Sequence, residues 1–260
     1  MGVSIIAKGY NAESAFPSGG PFLPFDVPYR TGLVAWHLFG GAGQKTLWNF
    51  APGGSQGCSL VGTPAYNSNY VSLLSRANAA PAYIQTPYLE TNSMFIAAVC
   101  RFPGANDATA NRGVLISNQA TKAAADNTTS FGTPLQIAPN ATGSLFGTVM
   151  RGASTATAVQ SGATLTTTLT SWMLLTMEVP QTGVNRLINQ TTGQSGVAST
   201  SALHQPGIDP LRIGSSYTTG NGGQVDIAAL ALWSSVPDST NIASIVSAMR
   251  ANMATKGITV

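Results

Sequence analysis

The stretch Gly222–Arg250, GGQVDIAALALWSSVPDSTNIASIVSAMR, carries two elements back to back. Gln224–Trp233 is an apolar, β-forming run bounded by Gly-Gly and Ser-Ser, and it reads as a strand with a single acid, Asp226. Pro237, Asp238 and Ser239 then offer helix caps. Ile242, Ile245, Val246 and Met249 follow at i, i+3, i+4 and i+7, and Met253 extends the stripe. This spacing predicts a helix over about 238–255. Arg250 and Lys256 near its end suit the helix dipole, and Gly257 supplies a stop.

Upstream, from Leu33, short apolar segments alternate with Gly, Pro and Asn. Strands are expected at 33–39, 58–62, 69–74, 82–86, 94–102, 113–117, 134–138, 144–151, 163–169, 171–179, 184–190, 210–214 and 224–233. Their β-branched and aromatic bias, with turn residues at regular intervals, predicts an antiparallel sandwich. The polar stretches 104–112 and 118–131 read as loops. Residues 1–31 stand apart. Prolines at 17, 21, 24 and 28 disfavour helix and remove ladder donors, while Phe16, Phe22, Phe25 and Tyr29 need cover. An extended arm on its own domain or on a neighbouring subunit meets both demands. The rest, 32–260, contains no repeat and no linker, so it reads as one sandwich domain.

Composition narrows the function. Only 8% of residues are charged, against about 25% in a typical soluble domain. Ser, Thr, Asn, Gln and Gly carry the polarity, and a neutral, hydroxyl-rich surface favours lateral association. The twelve Lys and Arg are never adjacent, which argues against nucleic acid despite a net charge of +3. No apolar run approaches the ~18 residues of a membrane span, and the first residues lack the basic flank and apolar core of a signal peptide. Cys58 and Cys100 are too few for a disulfide framework or a zinc cluster, and Cys100 ends the apolar run MFIAAVC as a buried hydrophobe.

In order, GLVAWHLF (32–39), LWNFAPGGSQGCSLVGTPAYNSNYVSL (47–73), SMFIAAVCRF (93–102), TSWMLLTMEVPQTGVNRLINQTTGQ (170–194) and the span from Asp209 to Val246 form a recognisable series. It resembles the laminin-G-like, concanavalin A-like lectin/glucanase jelly roll of phage and bacterial surface proteins. The resemblance covers about residues 32–250. It implies an all-β, antiparallel jelly-roll sandwich with an extended N-terminal arm and a short C-terminal helix. It also places Asp226 where the family carries an acid on the closing strand. Two roles are open for that carboxylate: accepting hydrogen bonds near a strand end, or ligating a structural Ca2+ together with Asn49. Calcium wants six to eight oxygens. Asn49, standing where the family has an acid, offers only a neutral carbonyl. No other cofactor is expected.

The glucanase branch needs closely spaced carboxylates, and a retaining glycosidase sets them about 5–5.5 Å apart. The glutamates here are Glu13, Glu90 and Glu178, with no Glu-x-Asp-x-x-Glu pattern, and His37 and His204 have no partner at motif spacing. No catalytic residues are expected. Sugar sites combine an aromatic face with amides and carboxylates. Three loops offer these groups: Trp48 and Asn49, then Tyr66 and Asn67, then Tyr217, Asn221 and Gln224. Trp36, Trp172 and Trp233 lie inside expected strands and read as core. Two functions follow. One is a non-enzymatic structural or assembly protein of a phage or phage-like particle (tail, baseplate, fibre or capsid decoration), pairing with itself and with other particle subunits through the arm. The alternative is a carbohydrate-binding, receptor-recognition module facing a host glycan on such a particle. The expected location is the virion, otherwise the cell surface or exterior, with no nucleic acid and no membrane insertion.

Overall fold

A run such as VDIAALALW, apolar at successive positions, suits a strand whose two faces are both covered. The computed structural model, which describes residues 27–41, 46–52, 57–132, 135–141 and 143–260, places it at the centre of the molecule. In chain order the strands are β1 (Leu33–Leu38), β2 (Ser59–Val61), β3 (Ala65–Tyr66), β4 (Val71–Leu74), β5 (Tyr83–Gln85), β6 (Met94–Arg101), β7 (Ile116–Ser117), β8 (Thr121–Lys122), β9 (Ser130–Phe131), β10 (Gln136–Ala141), β11 (Ser144–Arg151), β12 (Val159–Thr166), β13 (Met173–Val179), β14 (Arg186–Asn189), β15 (Gln194–Val197), β16 (Arg212–Ile213) and β17 (Gln224–Trp233). Among the described residues one α-helix, α1 (Ser239–Thr255), follows. The first sheet runs β15-β14-β13-β6-β17-β4-β3, with β1 also on β17; the second runs β12-β11-β10-β7-β16-β5-β2. Every pairing is antiparallel.

One flank of β17 serves two partners end to end. β4 pairs residues 224–227 and β1 pairs residues 229–233, while β6 pairs residues 226–233 on the opposite flank. A register shift between Ile227 and Ala229 marks a bulge at Ala228. Val225, Ile227, Leu230 and Leu232 therefore enter the space between the sheets. There they join Leu73, Ile96, Leu175 and Met177 against Ile84, Ile137, Leu145, Val149 and Ile213 of the second sheet. Ala228, Ala229, Ala231 and Trp233 turn the other way, into a second core under α1 with Phe95, Val99, Ile245, Val246, Met249 and Met253. The alanines let the helix approach closely, and Trp233 meets Trp36 edge-on at 6.0 Å.

The helix has both expected ends. The Asp238 carboxylate accepts from the Asn241 N–H at 2.8 Å, satisfying an orphan donor of the first turn. At the other end Gly257 takes φ +70°, its N–H bonds Ala254 O, and the Ile258 N–H bonds Met253 O. This is the paired-bond stop in which the residue beyond the glycine also packs back. Ile258 does so, buried in the same core as Met253. Lys256 Nζ donates to Phe39 O at 2.6 Å and Asn69 Nδ2 donates to Lys256 O at 2.6 Å, tying the helix to the end of β1.

The all-β antiparallel sandwich with a C-terminal helix agrees with the reading of the sequence. Differences are local. The stretch 118–131, expected as loop, contains the two-stranded β8–β9 ribbon, and β12 lies at 159–166 instead of 163–169. Of the arm, residues 1–26 lie outside the described residues. Val27 and Tyr29 pack on the core beneath α1, and Trp233 Nε1 donates to Tyr29 O at 3.2 Å. Both cysteines are buried and free. No helix among the described residues is long and apolar enough to cross a membrane.

Candidate functional site

β12 ends at Thr166 and β13 begins at Met173, so the intervening residues turn over one end of the sandwich. That turn is pinned by Phe102 N–H to Leu169 O (2.7 Å) and Thr167 N–H to Gly143 O (2.8 Å). Opposite it, the β14–β15 hairpin closes through Gly193, at φ +76°, whose N–H bonds Asn189 O. Asn189 Nδ2 reaches across to Thr167 Oγ1 at 2.9 Å, and Thr191 Oγ1 accepts the Leu174 N–H at 2.9 Å. Arg250 of α1 holds the same hairpin by donating to Gln190 O. Between turn and hairpin lies a cleft of about 530 Å³ lined by Thr166, Thr168, Ser171, Trp172, Thr191 and Gln194, among others.

Trp172 is half-buried and belongs to a fixed aromatic group. Its ring meets Tyr70 edge-on at 5.2 Å, and the Arg101 guanidinium lies 4.8 Å from the Trp172 ring centre and 5.2 Å from that of Tyr70. Asp226 holds that guanidinium. Arg101 Nε donates to Asp226 Oδ2 at 2.8 Å, while Ser72 Oγ and Gln224 Nε2 each donate to Oδ1 at 2.7 Å. A carboxylate 2% exposed is thus fully supplied with donors, one of them cationic. It positions Arg101, and through it the aromatic pair.

Of the two roles open for Asp226, this geometry favours accepting hydrogen bonds over ligating calcium. Arg101 at 2.8 Å opposes a second cation on Asp226. Asn49 is committed elsewhere: its Oδ1 accepts from the Trp36 N–H (3.0 Å) and the Ala51 N–H (2.9 Å), and its Nδ2 donates to Val34 O (3.0 Å). Trp36 pairs with Ala231, five residues along β17 from Asp226, or roughly 16 Å at a strand's rise. The two residues form no common site. Among the described residues no group of three or more His, Cys, Asp or Glu side chains is placed to hold a metal ion.

The seven expected sugar-site residues do not share one rim either. Trp48 is buried edge-on against Phe50 at 6.3 Å, and Asn49 braces β1. Tyr66, on β3, is 37% exposed, and Asn67 beside it exchanges backbone bonds with Gly41 and Tyr70. Tyr217, in the loop after β16, has Arg212 3.6 Å over its ring. Asn221 is buried, its carbonyl accepting from Ala77 N–H. Gln224 lines a second cleft, about 460 Å³, with Asn78, Asn111, Gly222 and Gly223. Trp172, expected in the core, packs against the core beneath α1 and also lines the first of these clefts.

A buried polar knot occupies other loops. His204 Nε2 lies 2.8 Å from Glu90 Oε1 and its Nδ1 lies 3.1 Å from Asn92 O, so both ring nitrogens face acceptors. Glu90 Oε2 also accepts from Asn118 Nδ2 (2.8 Å) and the Gly207 N–H (2.7 Å). Arg151, fully buried, donates to Asn185 Oδ1, Pro180 O and Ala202 O; burial lowers its pKa. Glu90 and His204 are 114 positions apart, beyond the reach of any motif. All these groups are saturated by protein partners, and neither cleft described above is lined by a carboxylate.

No protein-family profile and no curated protein sequence matches the chain. Solved structures do. The binding domain of botulinum neurotoxin DC in complex with SialylT superposes with a TM-score of 0.55 at 9% identity, over 81% of this chain and 50% of that one. A botulinum neurotoxin type C structure, described as depending for cell entry on two ganglioside molecules, gives 0.56 at 11% identity, over 81% and 50%. A mutant Trypanosoma rangeli sialidase displaying trans-sialidase activity gives 0.51 at 10% identity, over 81% and 32%. The chain therefore spans half of the toxin chains and a third of the sialidase. At these identities the likeness shows the fold alone: an antiparallel β-sandwich of the kind found in toxin binding domains and in a sialidase.

Proposed function

We propose that the chain is a non-enzymatic glycan-recognition module, a concanavalin A-like jelly roll displayed on a phage or phage-like particle and facing a host surface. The observation that carries this is Trp172 in the lining of a cleft whose other side chains, Met173 apart, offer hydroxyls and amides. A sugar ring has an apolar face edged with hydroxyl groups, and such a site matches both features. The Asp226–Arg101–Tyr70 relay fixes the indole in advance, which reduces the ordering cost of binding. Hydrolysis has no counterpart there, since neither cleft carries the paired carboxylates a glycosidase uses. The sialylated and ganglioside ligands named for the toxin domains support the same class of ligand. The low charge and hydroxyl-rich surface support the particle setting.

The test is a glycan array followed by calorimetry on the full chain and on Trp172→Ala. Loss of one aromatic stack is worth about 1 kcal/mol, so affinity is expected to fall roughly fivefold. Tyr66→Ala, on a different edge, leaves it unchanged. An array without any ligand, or a Trp172→Ala protein that binds like the parent, removes the reading.

Assembly has its own support. Val159 (57%), Val197 (56%) and Leu203 (41%) are exposed apolar side chains, and Val159 and Leu203 flank Arg151 and Gly152. Size measurement with and without residues 1–26 tests whether the arm joins copies of the chain. A protein monomeric at high concentration in both forms ends that reading.

A further inference from the structure

We infer that Arg212 and Arg76, brought together on Tyr217, form a subsite for an anionic group on a saccharide, a carboxylate or a sulfate, separate from the Trp172 cleft. Arg212 is held against two tyrosine rings. Its guanidinium carbon lies 3.6 Å from the Tyr217 ring centre and 5.0 Å from that of Tyr83. A closed circuit fixes this arrangement: Arg212 Nε donates to Gln85 Oε1 (2.8 Å), Gln85 Nε2 donates to the Tyr217 hydroxyl (3.2 Å), and that hydroxyl donates to Pro210 O (2.8 Å).

The fork of the guanidinium is left over. Nη1 donates to Ser216 O at 2.9 Å, and among the described residues Nη2 makes no hydrogen bond. Arg76, on an exposed turn, donates from Nη1 to the next carbonyl, Tyr217 O, at 3.0 Å. Two guanidinium groups therefore sit on consecutive carbonyls. Among the described residues neither forms an ion pair; Asp209, the acid nearest in sequence to Arg212, is not within salt-bridge distance of either. Elsewhere the chain treats a stacked arginine differently, since Arg101 has its carboxylate in Asp226. A planar, pre-set fork with unspent donors is what bidentate recognition of an oxyanion uses. The neighbouring Tyr217 hydroxyl, Gln85 and Thr218 are polar groups that a sugar carrying the anion meets next.

The experiment is calorimetry of the full chain with an oligogalacturonate, a sulfated galacto-oligosaccharide and a neutral cello-oligosaccharide of equal length, at 20 and 300 mM salt. At least one charged oligomer is expected to bind ten times tighter than the neutral one at low salt and to lose that advantage at high salt. Whichever charged oligomer binds identifies the anion as carboxylate or sulfate. Arg212→Gln should abolish the advantage, and Arg212→Lys should not restore it, because an ammonium neither stacks nor forks. Arg76→Gln, at an exposed position, should reduce it several-fold and decides the matter if Arg212→Gln fails to fold. Trp172→Ala should keep the charged-over-neutral ratio, which separates this subsite from the cleft. Equal binding of charged and neutral oligomers, or a folded Arg76→Gln with the full salt-sensitive advantage, overturns the inference.

Discussion

Replacing His37 by glutamine removes a buried imidazole while keeping a side chain able to bond Tyr88. His37 is fully enclosed, its Nε2 is 2.9 Å from the Tyr88 hydroxyl, and its ring stacks on Phe39 at 5.7 Å. Burial lowers its pKa from 6.5 to about 4, against a smaller raising effect of the Trp48 backbone. Between pH 6.5 and 4 the unfolded chain therefore binds a proton that the folded chain refuses, so stability falls as the pH falls. At 1.36 kcal/mol per unit the loss across this window is about 3 kcal/mol. The assay is urea unfolding of both proteins at pH 7 and pH 4. His37→Gln shifts stability by a constant, and the carboxylates titrate alike in both proteins. The parent should lose about 3 kcal/mol more than the variant on acidification. Equal losses would refute the argument that this imidazole is held neutral by its surroundings.

Asp226→Asn leaves Arg101 without its carboxylate. Because the Arg101 side chain is 29% exposed, we expect the lower part of the range for a broken ion pair, about 1–3 kcal/mol by urea unfolding. Arg101→Gln made in the same background should cost less than it does alone, and strictly additive costs would contradict the pairing. Gly214 sits at φ +83°, and a Cβ there would lie 2.5 Å from Leu73 Cδ1. Gly214→Ala should destabilise by about 2 kcal/mol or more, from strain and overpacking together. A thermal midpoint within a degree of the parent would show that the loop accommodates the methyl group.

Legibility followed the reach of each signal. β17 and α1 were readable because their apolar runs are long, locally complete and capped by Asp238 and Gly257. β12 slipped because Ser161 and Ala163 bury a face without supplying hydrophobic contrast; its apolar cue, Leu165, lies near the end. β8 and β9 are two residues each, too short for any periodicity. At the site, Asp226 was visible in the sequence as the one acid of an apolar strand. Its partners were not, because Ser72 and Arg101 arrive from β4 and β6 through sheet register. Trp172 read as core because it leads the apolar run of Met173–Val179; it packs on the core beneath α1 and also lines the cleft. Tyr217 read as an exposed platform, and the guanidinium that occupies its face is invisible without the fold.

The pairing of β1 with β17 also governs when the molecule can close. Leu33 meets Trp233, and among the described strands β1 has no other sheet neighbour. During synthesis, at about 5–20 residues per second, the apolar segment LVAWHL leaves the ribosome roughly ten to forty seconds before its partner. For that interval it is an open hydrophobic edge, the kind that invites pairing with another nascent chain. Crowded polysomes and rapid induction thus load this protein's yield onto whatever shields Leu33–Leu38 in the meantime.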